Sequence, residues 1–353
     1  MTEKLKVGII GAGGIALSRH LPSLAALGEL AEMAGVCDLN KDKAEAAAKS
    51  FQIPFMTDNY HALFEKVDAV VISTPNKFHA ELTIAALQAG LHVLCEKPMA
   101  LNELECERML DAAQKAKKTL AIGYHYRFMK EAQGAKKLMD RGIVGNPLVV
   151  RVQALRRRMM PNWGVFTSKE LQGGGSLMDY GCHLLDLAMW LTGYQEPIEV
   201  SGRAYNALGK AKDQVNQWGP FDHSTFEVDD HVTAYITFKN GLSLLLETSW
   251  LNNISEEVIE TVSISGDRGG LSVFPLTTNY TQDGMMFNNQ AVWIPGQEEA
   301  GLAQMRNFLR NCHGMEPLLV QPYEALYVTG LIEKIYKSSE WQRTVTIGKD
   351  DKE

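Results

Sequence analysis

The chain has 353 residues, 45% hydrophobic and 22% charged, with a net charge of −7. That length exceeds a single core and points to two domains, while the composition excludes long disordered tracts. The acidic balance argues against nonspecific binding of nucleic acid or an anionic membrane surface, so a small-molecule partner fits better.

Leu5 to Ile10 is a short apolar run and reads as a strand. Gly11-Ala12-Gly13-Gly14-Ile15-Ala16 follows it at once, and a helical Ala/Leu-rich stretch comes next. Strand, glycine turn and helix in that order are the context a dinucleotide-binding fingerprint needs. Gly11 permits the tight turn, Gly13 lets the backbone approach a pyrophosphate, and Ala16 is small enough for helix to pack on strand. Gly14 and Ile15 open the helix, whose free N–H groups and positive end face the phosphates.

A second strand, Met33 to Cys37, ends at Asp38, about 22 residues after Ala16 and near the spacing of the ribose-binding acid. A carboxylate accepts hydrogen bonds from a free 2′-hydroxyl and repels a 2′-phosphate, so NAD is favoured. Lys41 and Lys43 soften that discrimination and leave NADP open. Asp is also a favoured N-cap, and capping of the next helix is the other reading of Asp38.

Phe55-Met56, Ala69 to Ser73, Leu91 to Cys95 and Leu120 to Gly123 continue the strands, with helices over His79 to Ala89 and Glu103 to Lys117. Alternating strands and helices with right-handed crossovers make a doubly wound parallel sheet, an α/β Rossmann domain over 1–124. Thr74-Pro75-Asn76 ends the fourth strand near the switch point and is expected on the nicotinamide side, a role compatible with a plain Pro-initiated turn. Glu96-Lys97-Pro98 follows the strand Leu91 to Cys95 and sets a cation in the crevice beyond the strand ends, where such sheets bind ligands.

From Tyr124 the pattern changes. Val149 to Gln153, Glu199 to Arg203, Val232 to Phe238, Leu242 to Glu247 and Val258 to Ser265 read as strands, and Val232, Ala234, Ile236 and Phe238 alternate with polar residues. Such alternation marks a sheet with one buried face, and Asn240-Gly241 is a hairpin turn. Residues 125–353 are therefore expected to form an α+β domain with a large, mainly antiparallel open sheet. Tyr205 to Asp222 reads as a long loop or insertion.

The glycines Gly173-Gly174-Gly175 precede a helix on which Asp179 and His183 stand four residues apart and share a face. A histidine beside a carboxylate is an acid/base apparatus, and a structural helix pair or half of a metal site are the other readings. Tyr126 and Arg127 follow the last strand of the first domain and Trp163 lies before the glycines; all three suit a sugar's mixed faces, or packing. Arg156-Arg157-Arg158 reads as a solvated or subunit-interface strand end, with binding of an anionic substrate the other reading. His223 and His231 show no metal spacing, and no metal is expected.

The sequence resembles the Gfo/Idh/MocA oxidoreductases over nearly its whole length. The landmarks are the glycine loop, Thr74-Pro75-Asn76 with His79, Glu96-Lys97-Pro98, Tyr126-Arg127-Phe128, Gly173 to Gly193, Glu227-Val228-Asp229-Asp230, Asn240-Gly241 and Ile264 to Gly270. The resemblance implies that Lys97 is the catalytic lysine, that Asp179 and His183 are the DxxxH pair, and that the Lys97-Pro98 bond is cis. It also implies a homodimer or homotetramer formed through the C-terminal sheet. The dinucleotide contacts are then expected from Gly11, Gly13, Gly14, Ile15, Asp38, Thr74, Pro75, Asn76, His79, Glu96 and Lys97.

The expected activity is hydride transfer between nicotinamide and a secondary alcohol or hemiacetal carbon of a sugar, cyclitol or related polyol. His183 would take the hydroxyl proton, Lys97 would stabilise charge on the same oxygen and Asp179 would orient a hydroxyl or the pair. A glycosidase that oxidises transiently with bound NAD and a non-catalytic dinucleotide-binding regulator are the alternatives. Cys37, Cys95, Cys106, Cys182 and Cys312 carry no disulfide or zinc spacing. With no signal-peptide core after Met1 and no apolar run near the roughly 20 residues of a membrane span, the expected location is the cytoplasm.

Overall fold

The computed structural model describes residues 3–350. They fall into two compact units: the chain up to Phe128 together with Gln297–Leu326, and Met129–Gly296 together with the chain from Tyr327 on. The chain thus returns once to the first unit, over Gln297–Leu326.

In the first unit six strands, β1 (Leu5–Ile10), β2 (Ala31–Cys37), β3 (Met56–Thr57), β4 (Ala69–Ile72), β5 (His92–Cys95) and β6 (Leu120–Ile122), pair in the order β3-β2-β1-β4-β5-β6. Every pairing is parallel. Both faces are covered, which is why β4 is the unbroken apolar run Ala69-Val70-Val71-Ile72, wholly buried. The order reverses between β1 and β4, and a crevice at that switch point is where such sheets hold their ligand. Helix Ala300–Cys312 adds Met305, Phe308 and Leu309 to the core around Leu21 and Leu24, so the returning segment completes this unit's apolar interior.

The second unit holds β7 (Pro147–Arg156), β8 (Pro197–Tyr205), β9 (His231–Phe238), β10 (Ser243–Ser249), β11 (Val258–Gly266), β12 (Gly269–Ser272), β13 (Thr277–Gln282), β14 (Met285–Gln290) and β15 (Val345–Thr346). They form one sheet in the order β14-β13-β12-β11-β7-β10-β9-β8-β15. Only β7 and β10 pair parallel; the other neighbours are antiparallel. Val150, Val152, Val232, Ile236, Leu244 and Val262 line its buried face, while Tyr235 and Leu245 stand exposed on the other. Helix Cys182–Thr192, buried along its whole length, packs against β7 and β11.

The sequence reading passes over β12, β13, β14 and β15. Thr277-Thr278-Asn279-Tyr280-Thr281-Gln282 and its hairpin partner bury little on either face, so no apolar alternation marks them. Their turn is nonetheless spelled Asp283-Gly284, both with positive φ, the chemistry of a two-residue hairpin. Among the described residues no helix is long and apolar enough to cross a membrane.

Candidate active site

The nucleotide loop is built by the ends of β1, β2 and β4. Gly11 has φ +93° and a Cβ there would stand 2.6 Å from Ser73 O, so only glycine fits. Its amide donates to Cys37 O at 2.8 Å, and Ser73 Oγ donates to Gly11 O at 2.8 Å. Around Gly13 and Gly14, in contrast, no atom beyond the local backbone lies within 4 Å of an added Cβ. The loop thus presents bare backbone to open space, as a pyrophosphate requires.

Asp38 takes hydrogen bonds from Ala12 N and Asn40 N, each at 2.8 Å. The cap of the following helix is Asn40, whose Oδ1 accepts from Asp42 N and Lys43 N, so Asp38 is left to the loop. A carboxylate has about four lone-pair positions, and those remaining can take ribose hydroxyls. The residues fit a bound NAD.

Past Ile15 the helix widens into a π turn over Ala16–His20, closed by Leu21 N–H donating to Ala16 O. Such turns recur at functional positions because the extra residue re-aims side chains. Here it carries Arg19 and His20. His20 Nε2 lies 2.8 Å from Glu96 Oε1, and Arg19 stands 3.9 Å from the same oxygen. Glu96 Oε2 accepts from Lys97 N at 3.1 Å. Burial alone would raise the Glu96 carboxyl, but His20, Arg19 and Lys97 outweigh it and hold it well below the usual carboxylate range. Arg19 also spans both ring nitrogens of His125 at 3.2 Å, and burial with that charge pushes His125 down to about 3.

Lys97 therefore leaves the end of β5 with its backbone held by a buried anion on one side and a cis bond to Pro98 on the other. His79 Nδ1 lies 2.8 Å from Pro98 O and its Nε2 3.0 Å from Thr74 O, so this buried ring ties the Thr74-Pro75-Asn76 loop to the Lys97 turn. Asn76 and Tyr126 are buried too. Arg127, a candidate sugar contact or packing residue, is 0% exposed, and its guanidinium pairs with Glu324 and donates to Leu319 O.

In the second unit a further π turn, Leu177–Gly181, carries Asp179 into helix Cys182–Thr192, where His183 is buried. Asp229 fastens the start of this helix. Its carboxylate accepts from Gly175 N (2.7 Å), Ser176 Oγ (2.9 Å), Leu177 N (3.1 Å) and Tyr336 Oη (2.7 Å). The glycine run follows from this packing, since a Cβ on Gly175 would lie 1.9 Å from Asp229 O and one on Gly174 2.2 Å from Tyr336 Oη.

The Asp179 carboxylate, 20% exposed, accepts from Trp250 Nε1 at 3.1 Å and has Arg156 Nη1 at 3.9 Å. Arg156 is sandwiched between Tyr180 and Trp218, 4.1 and 4.9 Å from the ring centroids, while Arg157 beside it is exposed. Trp163, 53% exposed, lies 5.4 Å from Trp218 between ring centroids. Sequence reasoning passes over Trp218, Trp250 and Asp229 as site residues. For Trp250 a signal exists, an aromatic immediately past the end of β10, and Asp229 sits among the family landmarks. His231 pairs with Glu247 at 2.9 Å, and among the described residues no three His, Cys, Asp or Glu side chains group to hold a metal.

Comparison with known proteins agrees with this architecture. Residues 5–124 match the model of the oxidoreductase family with an NAD-binding Rossmann fold, and residues 132–272 match the GFO/IDH/MocA C-terminal domain. The chain belongs to the GFO/IDH/MocA oxidoreductase family. It is an NAD(P)-dependent dehydrogenase that acts on CH–OH groups. It combines a six-stranded parallel sheet with a nine-stranded mixed one. A D-glucoside 3-dehydrogenase of Escherichia coli (strain K12) is 35% identical over 341 residues, 96% of either chain. An inositol 2-dehydrogenase of Salmonella typhimurium (strain LT2) is 33% identical over 191 residues, covering 53% of this chain and 54% of its own. The solved structure of a levoglucosan dehydrogenase with NADH and levoglucosan superposes with a TM-score of 0.84 at 23% identity, covering 98% of this chain and all of that one, and so shares the fold.

Proposed function

We propose that this member of the family oxidises a ring hydroxyl of a pyranose sugar or glycoside, with NAD taking the hydride. The support is the likeness to a D-glucoside 3-dehydrogenase along 96% of both chains, joined to a site whose groups suit the task. NAD, when bound, supplies the hydride acceptor; the protein supplies position and charge. Gly11, Gly13, Gly14 and Ile15 would receive the pyrophosphate, Asp38 the ribose, and Thr74, Pro75 and Asn76 the nicotinamide side, with His79 and Glu96 holding the turns in place. Residues 1–124 would thus bind NAD, and 125–353 the substrate.

The observation that carries the reading is Lys97, delivered past the carboxyl end of β5 by the Glu96 anchor and the Pro98 turn. An ammonium there stabilises negative charge on the oxygen of the alcohol being oxidised. His183 takes the hydroxyl proton as general base. Asp179, oriented by Trp250 and Arg156, accepts a hydrogen bond from a neighbouring hydroxyl and so selects polyols.

Lys97→Ala and His183→Ala should each cut NADH formation from glucosides by about 10²- to 10⁴-fold, the usual worth of a positioned acid or base. NAD binding to His183→Ala, followed by calorimetry, should change less than threefold. Near-normal turnover in either variant overturns the assignment. We also propose a cytoplasmic homodimer or homotetramer formed through the open sheet face around Tyr235 and Leu245, which light scattering of the wild type and a Tyr235→Glu, Leu245→Glu variant tests.

A further inference from the structure

On the basis of that sugar reading, we propose that Trp163 and Trp218 form a second ring subsite next to Asp179. It binds the ring attached to the oxidised sugar, so that the substrate is a neutral disaccharide or aryl glycoside rather than a free hexose.

Two large aromatic rings are left 53% and 38% exposed on loops that are otherwise tied down. Asn216 closes a pair of bonds on Met160, accepting from its N–H at 2.8 Å and donating to its carbonyl at 2.9 Å. Gln217 N donates to Arg158 O at 2.8 Å, and Asn162 Nδ2 to Pro220 O at 3.1 Å. Beneath them Met160, Phe226, Val228, Trp250 and Leu251 form a separate small core, with Phe166 edge-on to both Trp163 and Trp250. The chain therefore fixes two rings in advance and keeps them wet, an arrangement that lowers the ordering cost of a ligand.

Asp179 Oδ2, the Arg156 guanidinium, the Trp218 ring and the Trp163 ring follow one another in steps of 3.9, 4.9 and 5.4 Å. A pyranose oriented by Asp179 and Arg156 has Trp218, and then Trp163, as the next rings along these contacts. Aromatic faces take the C–H side of a sugar or a flat aryl group, while the ring edges stay solvated. A phosphate is a poor occupant. Arg158 spends its guanidinium on Asn252 O and Asn253 Oδ1, and the charge of Arg156 already faces the Asp179 carboxylate at 3.9 Å.

The test compares methyl β-D-glucoside, cellobiose, p-nitrophenyl β-D-glucoside and UDP-glucose with the whole protein and NAD, following NADH absorbance, with binding of each ligand measured separately by calorimetry. Trp218→Ala and Trp163→Ala should each lower the ratio of kcat/KM for the two-ring substrates to that for methyl glucoside by about tenfold, with Trp218→Phe restoring most of it. They should weaken calorimetric binding of cellobiose in parallel. Wild-type oxidation of methyl glucoside with ratios unmoved in both alanine variants overturns the subsite and leaves the sugar reading standing. Cellobiose binding that is lost in the variants, without oxidation of any sugar, upholds the subsite and overturns the sugar reading. Preference for UDP-glucose over the neutral glycosides overturns the choice of a neutral second ring.

Discussion

His20 Nε2 and Glu96 Oε1 are 2.8 Å apart, joining the helix of the nucleotide loop to the residue that precedes Lys97. The Glu96 carboxyl is held well below its usual range against the opposing effect of burial, so the ionised form is what the fold stabilises. Stability from a depressed carboxyl is complete above its unfolded value, about 4.3, and is lost as pH falls from there toward the folded value. Glu96→Gln should therefore lower the melting temperature at pH 7, and the two melting curves should converge as pH drops below about 4. Removing one member of a buried charged pair costs about 3 kcal/mol or more. Parallel curves at all pH values would remove Glu96 from the acid response.

Trp250 is fully buried, yet its indole N–H is given to Asp179, a candidate catalytic group. Trp250→Phe keeps a ring in the small core and deletes that donor. Its effect should fall on KM for the sugar, raised about tenfold or about 1.4 kcal/mol, with NAD affinity unchanged. A structural role alone would instead lower the melting temperature and leave KM untouched, so the KM–kcat split decides.

Asp229 answers four donors at once, two of them amides at the start of the helix that bears Asp179 and His183. Tyr336 is pushed well above its usual range by burial and then by Asp229, so its hydroxyl stays a donor. Asp229→Asn turns an NH₂ group toward at least one of those donors. It should cost about 3 kcal/mol in urea unfolding, against about 1.5 kcal/mol for Tyr336→Phe, which removes one bond to a charged acceptor. Equal losses would mean that Tyr336 is the principal anchor.

Much of this was legible because it rests on local chemistry. Apolar runs of four to six residues mark β1 and β4, and the glycine turn between strand and helix marks the Rossmann domain that the family match covers. Long-range pairings were not legible. Arg127 follows a strand end, where sugar contact and packing read alike, and only the fold brings Glu324 to it from 197 residues away. Helix Ala300–Cys312 shows an apolar stripe but nothing that says which core it joins. Trp218 lies in what reads as an insertion; its meaning comes from Asn216 gripping Met160, 56 residues earlier.

The glycine loop separates folding from binding at two neighbouring positions. Gly11→Ala places a Cβ 2.6 Å from Ser73 O at a φ of +93°, so both backbone strain and a clash follow, and the protein should lose about 2 kcal/mol or more. Gly13 has ordinary φ and open space around an added methyl, so Gly13→Ala should leave the melting temperature almost unchanged, within about 0.5 kcal/mol. The methyl nevertheless projects from the stretch of backbone that the pyrophosphate must approach. NAD should therefore bind at least tenfold more weakly to Gly13→Ala, in a calorimetric titration of a protein as stable as the wild type. Unaltered NAD affinity would mean that the diphosphate does not pass over Gly13, and that the open space there has another use.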